Sequence, residues 1–318
     1  MTGGAGFIGS NLVHELLELG ADVCVLDSMT EGLGGNAFNL ESVKGRIEFH
    51  QGDQRDKELL KRLIADKDFI FNLAGNVSHQ DSMKNPTFDL NVNVEAQLLL
   101  LEACRLYNRD AVIVYSSTRQ LYGVPKYVPV DEKHPITPVD INGIHKFAGD
   151  QYHALYAHVY GLKTVTLRLT NTYGPRQLIR HSRQGFIGWF VNRIVTGNSI
   201  QLYGTGKQLR DFTYVGDVVE AMLIAARTPA CFGEVFNLSG ERADLETIAK
   251  KLVAAAGKGK YECVPFPLEA KKIEIGDFYG TSEKFRAVTG WTPAVSLDEG
   301  LGKMIRYFET HQKKYLEG

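Results

Sequence analysis

Short apolar runs, rich in β-branched residues, alternate along the chain with longer stretches whose apolar positions recur every three to four residues. The short runs are "ADVCVLD" (21–27), "RIEFH" (46–50), "DFIFNLA" (68–74), "AVIVYSS" (111–117) and "KTVTLRL" (163–169). Such near-continuous runs predict strands buried on both faces. Between them, Ile8, Leu12, Val13, Leu16 and Leu17 fall at helical spacing, and Gly20 follows as a stop signal. Further helices are predicted over 57–65, 87–107 and 141–158. This alternation implies right-handed crossovers and a parallel sheet covered by helices on both sides, a doubly wound α/β fold. Beyond residue 170 the rhythm loosens. Helices near 184–196, 244–256 and 297–311, with short strands and proline-bearing loops between them, predict a smaller lobe over the carboxyl edge of the sheet. The expected division is 1–169 for the sheet domain and 170–318 for the lobe, with about 211–240 returning to the sheet.

One strand is missing from this pattern. A doubly wound fold places its first glycine turn after a first strand, yet the sequence opens "MTGGAG", at the turn itself. We expect a strand upstream of this sequence; the alternative is another segment in its place.

Composition narrows the function classes. Thirty-six basic residues face 37 acidic ones, so no nucleic-acid or membrane-surface partner is predicted. No apolar run approaches the roughly 18 residues of a membrane span. Cys24, Cys104, Cys231 and Cys263 show no metal-binding spacing and are read as reduced packing residues of a cytoplasmic protein.

"TGGAGFIGS" (2–10) sets Gly3, Gly6 and Gly9 at the start of a helix. Glycines there let backbone approach a pyrophosphate, whose charge sits on free helix N–H groups. Asp27 ends the next strand, where a carboxylate accepts from a ribose 2′-hydroxyl and repels a 2′-phosphate, favouring NAD over NADP. Asp53, in "QGDQRD", is a candidate for the adenine amino group or, alternatively, a helix cap.

These segments, with "NLAG" (72–75), "NVNVEAQLLLLEA" (91–103), "VIVYSST" (112–118), "TNTYGPRQ" (170–177), "RDFTYVGDVVEA" (210–221) and "GWTPAVSLDEGL" (290–301), stand in the order of the extended short-chain dehydrogenase/reductase family. The chain most resembles its NAD-dependent nucleotide-sugar epimerases and dehydratases. The resemblance implies a Rossmann-like domain holding NAD, a nucleoside-diphosphate sugar in the lobe, and a homodimer built on two long helices. It places Phe7 and Ile8 along the cofactor diphosphate and Gln54 beside Asp53 at the adenine. Ala74 and Gly75 would border a cofactor ribose, with Asn93 in support. Asn171 and Arg210 fall where the family binds the substrate diphosphate, although an ion pair with an acid is the other reading of Arg210.

The family's catalytic tyrosine, four residues before a lysine, is absent. Thr118 and Lys146 match the family's Ser/Thr and lysine, but "DINGIHKFAGD" (140–150) puts Asn142 at the tyrosine. A carboxamide cannot take a proton as a tuned phenol can. Three readings stay open: another group serves as base, a step needing less base assistance is catalysed, or ligands are bound without turnover. Candidate substitutes are Lys146, Tyr122, His145 and His79. Against them, His145 lies roughly 100° round the helix from Lys146 and is expected to be exposed. Tyr122 is expected to pack, and His79 and Asp81 to lie in a solvated loop. The 4,6-dehydratases carry Asp-Glu after this threonine, where this chain has Arg119-Gln120, so an epimerase is the expectation. Glu274, in "EIGD", replaces an arginine that the family often sets on the diphosphate; Arg180, His181 and Arg183 are candidates to replace it.

Overall fold

The computed structural model describes residues 1–267 and 274–316. All five predicted strands form: β1 (Val23–Asp27), β2 (Ile47–Gln51), β3 (Phe69–Asn72), β4 (Val112–Thr118) and β5 (Lys163–Leu169). The expected burial fails for β2, which among the described residues pairs only with β1 at the sheet edge and leaves Phe49 exposed. Three lobe-side strands follow, β6 (Asn171–Tyr173), β7 (Ile200–Tyr203) and β8 (Leu209–Tyr214), before β9 (Val235–Leu238) returns to pair with β5. β2 pairs with β1, and β3-β4-β5-β9 run side by side, every pair parallel. Among the described residues, only Met1–Gly3 pair with both β1 and β3. Thr2 bridges Leu26 and Asn72, and the Gly3 amide donates to the Leu26 carbonyl at 2.9 Å. The order β2-β1-(1–3)-β3-β4-β5-β9 is therefore that of a doubly wound sheet, with its glycine turn at the centre.

Neighbouring residues of β4 explain why both faces are covered. Val114 joins the core under α1 (Phe7–Glu18) and α8 (Val215–Arg227); Ile113 points the other way, against α2 (Lys57–Ile64), α5 (Ala96–Tyr107) and α6 (Ile141–Tyr160). The predicted helix over 87–107 is broken. After the short α3 (His79–Lys84) and α4 (Pro86–Leu90), a π-helical turn (Asn91–Glu95) precedes α5. That widened turn carries Asn93, whose buried side chain bonds both backbone groups of Asn76.

The lobe packs α7 (Phe186–Val195), α9 (Leu245–Ala256) and, after α10 (Glu283–Thr289), α11 (Leu297–His311) around its own apolar core. β8 lies between β6 and β10 (Glu241–Asp244), and β7 pairs with β11 (Tyr261–Val264). Residues 211–214 thus belong to a lobe sheet; it is α8 and β9 that rejoin the main one. The cysteine reading needs correction for two residues: Cys263 is exposed and Cys24 half-buried, its sulfur within 4.8 Å of ligand atoms of Glu48 and His50.

Candidate active site

A cleft follows the carboxyl edge of the sheet from Asp53 and Arg55, past Asp27, to Ser116 and Gln177. Two glycines shape its middle. Gly3 has φ +69°, and a Cβ there would sit 2.8 Å from the Ala74 nitrogen; one on Gly9 would sit 2.2 Å from the Gly3 carbonyl oxygen. Gly6 caps α1 without any side-chain bond, so the first N–H groups of the helix face the cleft. Burial raises the Asp27 pKa, and the amides of Met29 and Ala5, each donating to its carboxylate at 2.9 Å, offset this only in part. Asp53 caps no helix; that oxygen belongs to Asp56. Instead Arg55 binds Asp53 at 2.6 Å and holds its carboxyl below the usual range. Gln54 turns inward, donating to Asn72 at 3.3 Å and to the Ala96 carbonyl at 3.2 Å. Ala74 and Gly75 line the cleft in front of Asn93.

At the far end stands α6, begun by the Asp140 side chain accepting from the Gly143 amide. Lys146 is 5% exposed. Its Nζ donates to the Ser116 carbonyl at 2.7 Å and lies 4.5 Å from the centre of the Tyr115 ring. Burial pushes its pKa down to about 8, against the pull of Asp150 and Asp89. Asn142 shares this face and is 1% exposed. Both of its amide hydrogens are committed, to the Asn76 carbonyl at 2.7 Å and to Asp89 at 3.1 Å. Asp89 also accepts from Asn76 at 2.9 Å and bonds His145 at 2.7 Å. His145 is therefore not the exposed residue that helical spacing implied, being 12% exposed. The flank it occupies is covered by the π-helical turn and by α4, so the buried face of α6 is wider than one stripe.

The tyrosines nearby are poor bases. Burial pushes Tyr122 up to about 12, and its hydroxyl is fixed between Asn237 and Arg168, each at 2.7 Å. Tyr115 is buried with its hydroxyl unpartnered, which drives its pKa well above the ordinary value. Thr118 ends β4, its hydroxyl accepting from the Gln120 amide at 3.3 Å. His79 is held rather than solvated, because α3 packs on α6: its Nδ1 bonds the buried Asp140 carboxylate, and its Nε2 lies 2.6 Å from the Gln120 side-chain nitrogen. Burial pushes the Asp140 pKa up, but the hydrogen bond and charge of His79, the Gly143 amide and Arg119 together outweigh it, and the net shift is downward.

Residues 1–260 match the NAD dependent epimerase/dehydratase family. A putative UDP-glucose 4-epimerase of Methanocaldococcus jannaschii is 32% identical, over 98% of this chain and 99% of that one. The CDP-paratose 2-epimerase of Salmonella typhi is also 32% identical, over 96% and 97%. The solved structure of the Thermus thermophilus UDP-glucose 4-epimerase in complex with NAD is 33% identical, with a TM-score of 0.85 over 96% and 97% of the two chains. The chain belongs to this family.

The cleft suits the family's dinucleotide: uncapped helix N–H groups for a pyrophosphate, a carboxylate at Asp27, and a buried ammonium at the opposite end. The lobe side departs further from the sequence expectation. Arg210, 8% exposed, pairs with Glu274 at 2.9 Å and bonds two carbonyls, so its charge is already matched. Asn171 beside it donates to the Asp211 carbonyl at 2.9 Å. Arg183 pairs with Asp81 at 3.2 Å. The cation that residue spacing did not single out is Arg119. Its guanidinium lies 4.8 Å from the Phe278 ring centre with no ion pair among the described residues, and burial lowers its pKa to about 10.

Proposed function

We propose that this chain is an NAD-dependent epimerase of a nucleoside-diphosphate sugar, one that oxidises a sugar carbon transiently and reduces it on the opposite face in the manner of a 4-epimerase. The observation that carries this reading is Lys146. A lone ammonium, nearly out of water at 2.7 Å from the Ser116 carbonyl, opposes folding and is retained where a cofactor ribose would meet it. In support, relatives along the whole chain include epimerases, acting at different carbons by their names, beside dTDP-glucose 4,6-dehydratases whose Asp-Glu pair this chain lacks.

In this reading, the turn at Gly3, Gly6 and Gly9, with the N–H groups of Phe7 and Ile8, receives the NAD diphosphate. Asp27 accepts from the adenosine ribose, while Asp53 and Gln54 border the adenine. Ala74, Gly75 and Lys146 hold the other ribose, and Asn93 and Asn142 brace that loop through Asn76. Bound NAD supplies a hydride acceptor that can return the hydride. Thr118 offers a hydroxyl to the sugar. Asn171 and Arg119 meet the substrate diphosphate, Arg210 serving to anchor Glu274. Residues 1–169 form the cofactor domain and 170–318 mainly the substrate lobe. The chain pairs as a homodimer through the outer faces of α5 and α6, where Leu106, Leu155 and Val159 stay exposed.

The test is to mix the protein and NAD with UDP-, CDP- and dTDP-sugars and follow NADH absorbance and sugar products. Interconversion of two epimers with transient NADH is expected. A second reading, binding without turnover, is favoured by the full commitment of the Asn142 amide. It prevails if both ligands bind in calorimetry and neither NADH nor a new sugar forms.

A further inference from the structure

Asn142 leaves a question of chemistry that its surroundings answer. Oxidising a sugar alcohol removes an O–H proton as well as a hydride, and something must hold that proton until the reverse step. The Asn142 carboxamide cannot, and Tyr115 and Tyr122 are pushed toward staying protonated. Lys146 spends one N–H on the Ser116 carbonyl and, in the reading above, is engaged by the cofactor ribose.

His145 spends Nδ1 on the buried Asp89 and is only 12% exposed, which leaves His79. It lies near the helix turn that carries Asn142: the Ser82 hydroxyl donates to the His79 carbonyl at 2.8 Å and accepts from the Asn142 backbone N–H at 3.2 Å. Its Nδ1 faces Asp140, which starts the catalytic helix two residues before Asn142 and whose side chain is fully buried. A carboxylate only accepts, so Nδ1 carries the hydrogen. The Gln120 nitrogen, 2.6 Å from Nε2, also contacts the Val77 carbonyl at 3.5 Å, and a nitrogen so placed donates. The Nε2 lone pair is thus the acceptor, from a residue two positions after Thr118 in the chain. About a third of the His79 side chain remains exposed, and Val77, two residues before it, lines the cleft. Other charges on this side are Arg119 and the Asp81–Arg183 pair.

We propose that His79, oriented by Asp140, is the proton carrier of the reaction, an inference that rests on the epimerase reading. A sugar hydroxyl takes the place of the Gln120 amide as donor to Nε2. The hydroxyl proton moves to Nε2 as the sugar C=O bond forms, the C–H electron pair being what bound NAD would accept as hydride. Return of the hydride to the other face takes the same proton back from Nε2. His79 is the catalytic residue, and Asp140 positions it by fixing the Nδ1–H tautomer.

The experiment uses His79→Ala, with His79→Asn where the alanine variant does not fold, and Asp140→Asn, which keeps a cap for the helix. Replacing His79 is expected to lower kcat ~10²–10⁴-fold, leaving NAD and nucleotide-sugar binding unchanged in calorimetry and allowing partial rescue by imidazole. Without any turnover, NMR of the wild type is expected to show a downfield Nδ1 proton of His79 that Asp140→Asn removes. A His79 variant within about threefold of wild-type kcat, or a His79 ring with no proton on Nδ1, overturns the proposal. If the wild type turns over in that case, the epimerase reading stands and the dyad alone falls. A wild type that binds both ligands without reducing NAD removes both.

Discussion

The Lys146 ammonium lies out of water with a carbonyl oxygen and an aromatic face as its company. Its pKa near 8, against 10.5 for a free lysine, means that the folded chain protonates it less readily than the unfolded one. Below pH 8 both states carry the proton, and the full penalty of about 3 kcal/mol bears on the fold. Between 8 and 10.5 the unfolded chain binds more protons, so stability from this group rises with pH, and above that window the penalty is gone. Lys146→Met is therefore expected to be ~1–3 kcal/mol more stable than wild type at pH 7, with the gap closing toward pH 10. Urea unfolding at the two pH values checks this, and a pH-independent gap would contradict it. The lysine itself is legible from its place in the family motif. The fate of Asn142 is not, because its acceptor Asp89 lies 53 positions away.

Among elements, α6 is pinned by a buried polar cluster rather than by apolar packing alone. Asp89, at the end of α4, accepts from Asn76, Asn142 and His145 together. Asp89→Ala strips three buried donors of their partner and is expected to destabilise by about 3–5 kcal/mol, seen as a lowered urea midpoint. An effect below about 1 kcal/mol would mean that water replaces the carboxylate. The same cluster explains why His145 is poorly placed by periodicity: a helix wheel assumes one partner surface, whereas α6 meets β4 and β5 on one flank and α3, α4 and the π-helical turn on another.

In the whole molecule, lobe and sheet are joined by β5 running into β6 and by α8 and β9 returning. The lobe brings Glu274 onto Arg210, matching the charge of a cation that the family resemblance sets on the substrate diphosphate. Glu274→Gln is expected to tighten UDP binding by about two- to tenfold in calorimetry; unchanged affinity would show that Arg210 never meets the diphosphate. The exposed apolar residues on α5 and α6 predict that Leu155→Glu shifts a dimer to monomer in sedimentation, and a wild type that sediments as monomer at micromolar concentration refutes the dimer.

Local patterning along the chain determined the strands, most helix bounds, the glycine turn with Asp27, and the pairing of Asn142 with Lys146 on one helical face. Each of these depends on neighbours within a few residues, so period and turn chemistry suffice to read it. Only the tertiary structure decided which donors were spent and which cations were matched. Asp140 with His79, Asp89 with Asn142, and Glu274 with Arg210 are joined across 53 to 64 positions. Hydrogen bonds and ion pairs of that span are set by which surfaces the sheet brings together, and no periodicity in the sequence encodes them.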